Sequence, residues 1–185
     1  MHKFETERLR VRRLEEQDRS FYCSLYTCSE TMKSIAAPFT QTKAEQSFTT
    51  AMKLLKKEPP RHLVWVMLNK ESDTPVGIFG LTWPKPENTQ EESTKAESAI
   101  TESLKAEIGI ILTPQSVKKG FAIELMRHFL GRCSNFKGLT HLQANVSAGN
   151  TDSLRLFQKA NFQTVATDKT TENTVIRLEY DILNS

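Results

Sequence analysis

Apolar residues recur along the chain with two periods, and the changes of period mark the elements. Leu9 and Val11 alternate with Arg8, Arg10 and Arg12, which predicts a first strand with one wet face. Asp18 is placed to cap a helix whose buried stripe is Phe21, Tyr22, Leu25 and Tyr26. A second helical stripe, Ala44, Phe48, Ala51, Met52 and Leu55, stops before Pro59 and Pro60, which cannot continue it. "HLVWVML" and "PVGIFGLTW" are β-branched, aromatic runs separated by the turn-rich "NKESDT", the pattern of a hairpin.

In the second half, "AEIGIIL" reads as a fully buried strand. Phe121, Leu125, Met126, Phe129, Leu130 and Cys133 then fall at helical spacing, so a helix begins near Gly120. "THLQANVS" sets Leu142, Ala144 and Val146 on one face of a strand. "NTDSLRLFQKA" is a short helix, "NFQTVAT" a strand, and "TVIRLEYDIL" a last strand with Ile176, Leu178, Tyr180 and Ile182 to one side. That order predicts a mixed α/β domain with a crossover helix between two neighbouring parallel strands. Between Lys85 and Ser103 the sequence turns polar and acidic, with Ile100 its lone large apolar residue, and reads as a surface-loop insertion. A short helix over 91–100 would have little to bury.

Composition narrows the classes. The 185 residues suit a single domain spanning 1–185. Twenty-five basic against 22 acidic residues leave +3, too little for a dedicated nucleic-acid binder. No apolar run approaches the ~20 residues of a membrane span. The first residues lack the apolar core of a secretory signal. Cys23, Cys28 and Cys133 form no CxxC pair or zinc-type cluster, and Cys28 and Cys133 read as small core hydrophobes. The expectation is a reduced cytoplasmic protein, monomer or homodimer, without a metal and without nucleic-acid or membrane partners.

Lys118 and Lys119 precede the helix that starts near Gly120. A helix N-terminus carries partial positive charge and unpaired N–H groups, so two cations are poorly placed there unless an anion joins them. Strand, glycine turn and helix form a common geometry for holding phosphates. Two readings stand: solvated loop lysines, or a polyphosphate site. A Walker loop and the dinucleotide GxGxxG fingerprint are both absent, which argues against a nucleoside triphosphate or a nicotinamide cofactor.

Three segments carry a resemblance: "ETERLRVRRLEEQD" (5–18), "AEIGIILTPQSVKKGFAIELM" (106–126) and "NTDSLRLFQKANF" (150–162). With the order of elements, they resemble the GNAT superfamily of acetyl-CoA-dependent N-acetyltransferases. Within it they resemble the RimJ/RimL-like branch of ribosomal-protein N-terminal acetyltransferases. The resemblance implies a strongly twisted, mostly antiparallel sheet of about seven strands with helices on both faces. Its fourth and fifth strands, "AEIGIIL" and "THLQANVS", would be a parallel, splayed pair. There are departures. Val117 and Lys118 replace a polar residue and a frequent Gly of the pyrophosphate loop, and Asn161 replaces a common Gly in an exchange compatible with left-handed backbone.

The resemblance also implies roles. Acetyl-CoA, the co-substrate, would pair its pantetheine arm with the backbone of Ile110, Ile111 and Leu112. N–H groups of Val117, Lys118, Lys119, Gly120, Phe121 and Ala122 would hold the pyrophosphate, and an N–H near Ile110 the oxyanion. Asn150 reads as a helix N-cap and, by resemblance, as a cofactor contact; the roles can coexist. Asn145 stands where some relatives carry Glu; it cannot take a proton and is assigned to the cofactor. Ser153 would protonate the departing thiolate, since Phe157 occupies the place of a frequent Tyr acid. Glu107 and Glu172 are the candidate bases, each also readable as a solvated carboxylate. His62, His128 and His141 show no carboxylate partner in sequence and are read as structural or surface residues. The lack of a strong base favours an α-amino acceptor, with a pKa of ~7.7–8.0 against ~10.4 for lysine. Tyr26, Ile35, Phe39, Trp65, Phe79 and Trp83 are candidates for the acceptor pocket, with Trp65 and Phe79 as core by default and Trp83 at the rim. The expected activity is acetyl transfer to a primary amine, of a peptide N-terminus or a small molecule, by direct attack in a ternary complex. The alternative is a GNAT-fold module that binds acyl-CoA without turnover, motivated by Val117, Asn145 and Phe157.

Overall fold

The computed structural model describes residues 3–57, 61–83, 104–136, 138–169 and 174–183. The acidic 85–103 segment and Glu172 therefore lie outside the described residues. Within the described residues eight strands form one sheet: β1 (Lys3–Glu5), β2 (Leu9–Arg13), β3 (His62–Asn69), β4 (Pro75–Thr82), β5 (Leu104–Leu112), β6 (Leu139–Ser147), β7 (Gln163–Lys169) and β8 (Thr174–Asp181). Their spatial order is β1-β2-β3-β4-β5-β6-β8-β7. Every neighbouring pair is antiparallel except β5 and β6, which are parallel. Among the described residues five α-helices accompany them: α1 (Arg19–Thr27), α2 (Ser29–Met32), α3 (Gln41–Leu55), α4 (Phe121–Leu130) and α5 (Thr151–Lys159). The crossover from β5 to β6 is α4, as the pattern predicts. β1 and α2 are too short for any periodicity to reveal. Among the described residues no helix is long and apolar enough to cross a membrane.

Strand alternation divides the sheet into two faces with separate cores. On one, Trp65, Met67, Phe79, Leu81, Ile108, Leu142 and Leu178 pack with Phe121, Leu125, Met126 and Phe129 of α4 and Phe157 of α5. On the other, Val64, Val66 and Ile78 meet Tyr22 and Leu25 of α1 and Phe48 and Ala51 of α3. Each fully buried large side chain contributes about 1.5–3 kcal/mol, so neither helix pair can leave its face cheaply. Helices thus cover both faces, as expected. Two smaller expectations change. Asp18 makes no side-chain cap for α1; its carboxylate is held by Arg12 through two bonds of 2.7 and 2.8 Å and accepts the Glu15 N–H. Cys23, with Cys133, is the buried cysteine, while Cys28 is half-buried.

β5 and β6 pair only from Leu104↔Leu139 to Glu107↔Gln143. Beyond that point β5 stays on β4 as far as Leu112, and β6 stays on β8 as far as Ser147. The two strands part, and a cleft opens between them. β5 can follow β4 so closely because Gly77 faces Leu112 without a side chain; a Cβ there would overlap Ile111 O.

Candidate active site

The mouth of the cleft is the turn from β5 into α4. Pro114–Ser116 form a short 3-10 turn, closed by the Thr113 hydroxyl donating to Ser116 Oγ at 2.7 Å. Lys118 then takes φ 64° and Gly120, the N-cap of α4, φ 82°, both left-handed. Successive N–H groups in such a turn converge into an anion-binding concavity. The Glu124 N–H is the first of α4 to reach back, to Gly120 O at 3.1 Å. The N–H groups of Phe121, Ala122 and Ile123 are left without an intrahelical acceptor. Lys118 and Lys119 are exposed beside them.

A third cation stands there that periodicity did not reveal. Arg8, in the turn between β1 and β2, donates from Nη1 to Lys119 O at 3.0 Å and from Nε to Glu124 Oε2 at 2.7 Å. Its guanidinium lies over the Phe121 ring, 4.8 Å from the centroid. A Cβ on Gly120 would come within 3.2 Å of Arg8 Nη2, so the glycine serves both φ and close approach. Glu124 also accepts from the Arg8 backbone N–H and from the Thr6 hydroxyl. Burial raises the Glu124 pKa, but these donors and the Arg8 charge outweigh it and hold the carboxyl below its ordinary range. In sequence, Arg8 belonged to a wet strand face; its place in the "ETERLR" segment was the one hint.

At the apex of the cleft, β5 serves two spaces. Its open edge, beyond Glu107, faces the cleft, while Glu107, Gly109 and Ile111 project from one face into a cavity of about 520 Å³. The cavity lies under α1 and α3 and is walled by Tyr22, Tyr26 and Phe39. Tyr26 stacks on Phe39, with centroids 5.2 Å apart, and Tyr22 is hydrogen-bonded to Ser47 at 3.0 Å. Burial pushes the Tyr26 phenol far above its ordinary pKa, so it stays protonated. His62, Thr82 and Glu107 are in direct cross-strand register and form the polar end of the cavity. His62 Nδ1 is 2.9 Å from Thr82 Oγ1, and burial lowers the imidazole pKa, so His62 is neutral near pH 7. Glu107 is exposed, and its carboxylate makes no hydrogen bond or ion pair among the described residues. The surface reading of His62 is therefore replaced by a place in the cavity. Trp65 and Phe79 are core on the opposite face, as expected. Trp83 is corrected: it packs against Phe136 on that opposite face, 6.3 Å between centroids, not at the cavity rim. Ile35 is exposed and does not line the cavity.

The far wall of the cleft is β6 and the start of α5. Asn145 is exposed and its Oδ1 accepts from Gln143 Nε2 at 3.0 Å. Asn150 is the N-cap of α5, its Oδ1 accepting the Ser153 N–H at 3.1 Å. Its Nδ2 donates to Ser34 O at 3.2 Å, fastening the loop after α2 to this end of the cleft. Ser153 is half-buried, and its hydroxyl makes no hydrogen bond among the described residues. Phe157 is buried against Phe162, and Asn161 closes α5 with φ 65°.

Known proteins share the family and the fold. The model of the acetyltransferase (GNAT) domain matches residues 8–163. The uncharacterized N-acetyltransferase p20 of Bacillus licheniformis is 26% identical over 159 residues, covering 85% of this chain and 80% of that protein. Spermidine N-acetyltransferase from Vibrio cholerae, in complex with CoA and spermine, has a TM-score of 0.71 at 17% identity, covering 95% of this chain and 96% of that one. Aminoglycoside acetyltransferase AAC(6')-Ib, in complex with coenzyme A and kanamycin, has a TM-score of 0.69 at 16% identity, covering 94% of each chain.

Proposed function

We propose that this chain, which belongs to the acetyltransferase (GNAT) domain family, transfers an acetyl group from acetyl-CoA to a primary amine by direct attack in a ternary complex. One observation carries the reading: the open edge of β5 runs from the N–H-rich turn at Gly120 to the apex at Glu107, where the cavity begins. The diphosphate of CoA suits the N–H groups of Phe121 and Ala122 and the turn from Val117 to Gly120, with Lys118 and Lys119 supplying charge. The pantetheine arm, with its amides, suits the unpaired edge through Ile110, Ile111 and Leu112. Asn145 of β6 and Asn150 at the start of α5 are the polar residues assigned to the arm; Asn150 retains a second Nδ2 proton beyond the bond to Ser34.

The acceptor enters as an ammonium ion and gives one proton to Glu107, or to the neutral His62 beside it, before attack. The amine nitrogen forms the C–N bond with the thioester carbonyl carbon, and an N–H of the open β5 edge near Ile110 stabilises the oxyanion. The C–S bond breaks, the nitrogen's second proton passes to solvent, and the thiolate takes the Ser153 hydroxyl proton and leaves as CoA thiol, the serine regaining a proton from solvent. A thiol of pKa ~8.5 needs only modest help. Glu172 remains a second base candidate on sequence grounds. The opening segment and the Asn150–Ser153 spacing favour the RimJ/RimL-like branch.

The test is thiol release from acetyl-CoA with a broad amine panel, together with CoA binding by calorimetry. Lys118→Glu with Lys119→Glu is expected to raise the CoA Kd while leaving the unliganded Tm near wild type. Unchanged affinity would remove the lysines from the site. Ser153→Ala is expected to lower kcat more than it changes KM. CoA binding without turnover of any amine would favour a binding module instead.

A further inference from the structure

We infer that the acceptor is a small primary amine with one positive charge and an apolar, preferably flat, body, lying in the cavity with its nitrogen at Glu107. This rests on the acetyltransferase reading, and it is carried by the floor of the cavity. Gly80 of β4 and Gly109 of β5 are direct cross-strand partners, and both line the cavity. Neither has the positive φ that would require a glycine for its backbone. A Cβ on Gly109 would meet nothing within 4 Å, and one on Gly80 would make only an ordinary contact with Leu63 O at 3.5 Å. Neither the backbone angles nor close packing accounts for two facing glycines in mid-sheet, where glycine costs stability. What they leave is a bare, shallow bed of backbone beneath the stacked rings of Tyr26 and Phe39.

The charges of the lining complete the argument. Among the described lining residues Glu107 is the sole carboxylate, His62 is held neutral by burial, and there is no Lys or Arg. A polyamine or an aminoglycoside would bring several ammonium groups to one carboxylate, leaving the others to neutral hydroxyls such as Ser47, Thr50 and Thr82 and to apolar walls, with no charge to meet them. A free amino acid would bring a carboxylate with no cation to meet it. An amine whose remaining surface is apolar leaves nothing unpaired, and a volume of about 520 Å³ suits a small molecule.

The experiment uses the full chain with acetyl-CoA and 2-phenylethylamine, 3-methylbutylamine, spermidine, kanamycin, free phenylalanine and a phenylalanine-led tetrapeptide, reading thiol release, with CoA binding followed by thermal shift. The expected result is a kcat/KM for 2-phenylethylamine about 10–100-fold above those for spermidine, kanamycin and phenylalanine. Gly109→Val is expected to raise the KM for 2-phenylethylamine at least about tenfold, the scale of a lost apolar contact, with CoA stabilisation kept. Phe39→Ala should narrow the preference over spermidine. CoA stabilisation with preferred turnover of spermidine, kanamycin, phenylalanine or the tetrapeptide overturns the proposal and leaves the acetyltransferase reading standing; CoA stabilisation with turnover of no amine overturns both in favour of a binding module. Loss of CoA stabilisation in the wild-type chain overturns both.

Discussion

Lys118 holds a left-handed backbone with φ 64°, where the resembled loop often has glycine. For a residue with a Cβ that conformation costs roughly 1–2 kcal/mol. The side chain must then be judged by the charge it brings, and Lys118→Gly separates the two effects. The variant is expected to be as stable as wild type or up to about 1 kcal/mol more stable, and to bind CoA several-fold more weakly, with a shallower salt dependence. Denaturant melts and calorimetry at two ionic strengths check it; unchanged CoA affinity would leave the strain without a purpose. Glu124 is the counterweight, accepting from Thr6 and from the Arg8 backbone and side chain. Its folded pKa lies below the ordinary 4.5, so its contribution is complete above that value and is lost as pH falls through the lower one. Glu124→Gln should therefore cost about 1–2 kcal/mol at pH 7, a figure kept small because Arg8 is half in solvent, and the deficit should shrink below pH 4. Equal deficits at pH 7 and pH 3.5 would contradict it. The positive φ angles at Gly120 and Asn161 were legible from residue type and position relative to a helix. Arg8 was not, because its carboxylate partner lies 116 residues away and no local pattern points across that gap.

Apart from β1 and the almost wholly exposed β7, the strands and main helices follow from periodicity because they bury one face over five or more residues, long enough for a period of two or 3.6 to show. β1, with Phe4 as its one apolar residue, is held by pairing to β2 instead. Parity carried more than was taken from it. Leu81 is core on the α4 face, so Trp83, two residues on, belongs to that face, and Thr82 to the cavity. The alignment of His62 with Glu107 needs the registers of β3 on β4 and β4 on β5, which depend on tertiary contacts between distant segments. The same registers make two glycines unequal. At Gly77 a Cβ would overlap Ile111 O and crowd Met67 Cε at 2.8 Å, so Gly77→Ala must push β4 and β5 apart, at a cost of about 2–3 kcal/mol. At Gly109 the space is open, and Gly109→Ala should raise stability, by up to about 1 kcal/mol. Urea midpoints of the two variants decide it; similar values would mean that the close approach at Gly77 has no energetic weight.

At the scale of the whole molecule, the sheet is nearly two sheets. Among the described residues, β1 to β5 and β6 to β8 are joined by the four residue pairs from Leu104↔Leu139 to Glu107↔Gln143, the Lys105–Glu179 ion pair, the Asn150–Ser34 bond and the packing of α4 and α5 on one face. Past that seam, alternate backbone groups of Ile108–Leu112 have no strand to meet on the cleft side. A ligand that pairs with this edge while its phosphates sit on α4 bridges both halves, so its binding energy should appear in the weakest part of the structure. CoA at about 100 times its Kd should add about 2.7 kcal/mol, a Tm rise of about 5–11 °C for a chain of this size. Hydrogen exchange gives the location. Protection should increase at the amides of Ile108–Leu112, at Phe121, Ala122 and Ile123, and at Ser34 and Ser153, which Asn150 ties together. It should change little in β2 and β3, which are closed on both edges and distant from the seam. A Tm rise with protection spread evenly over the sheet would mean that CoA tightens the fold as one unit and that the parted strands are not its seat.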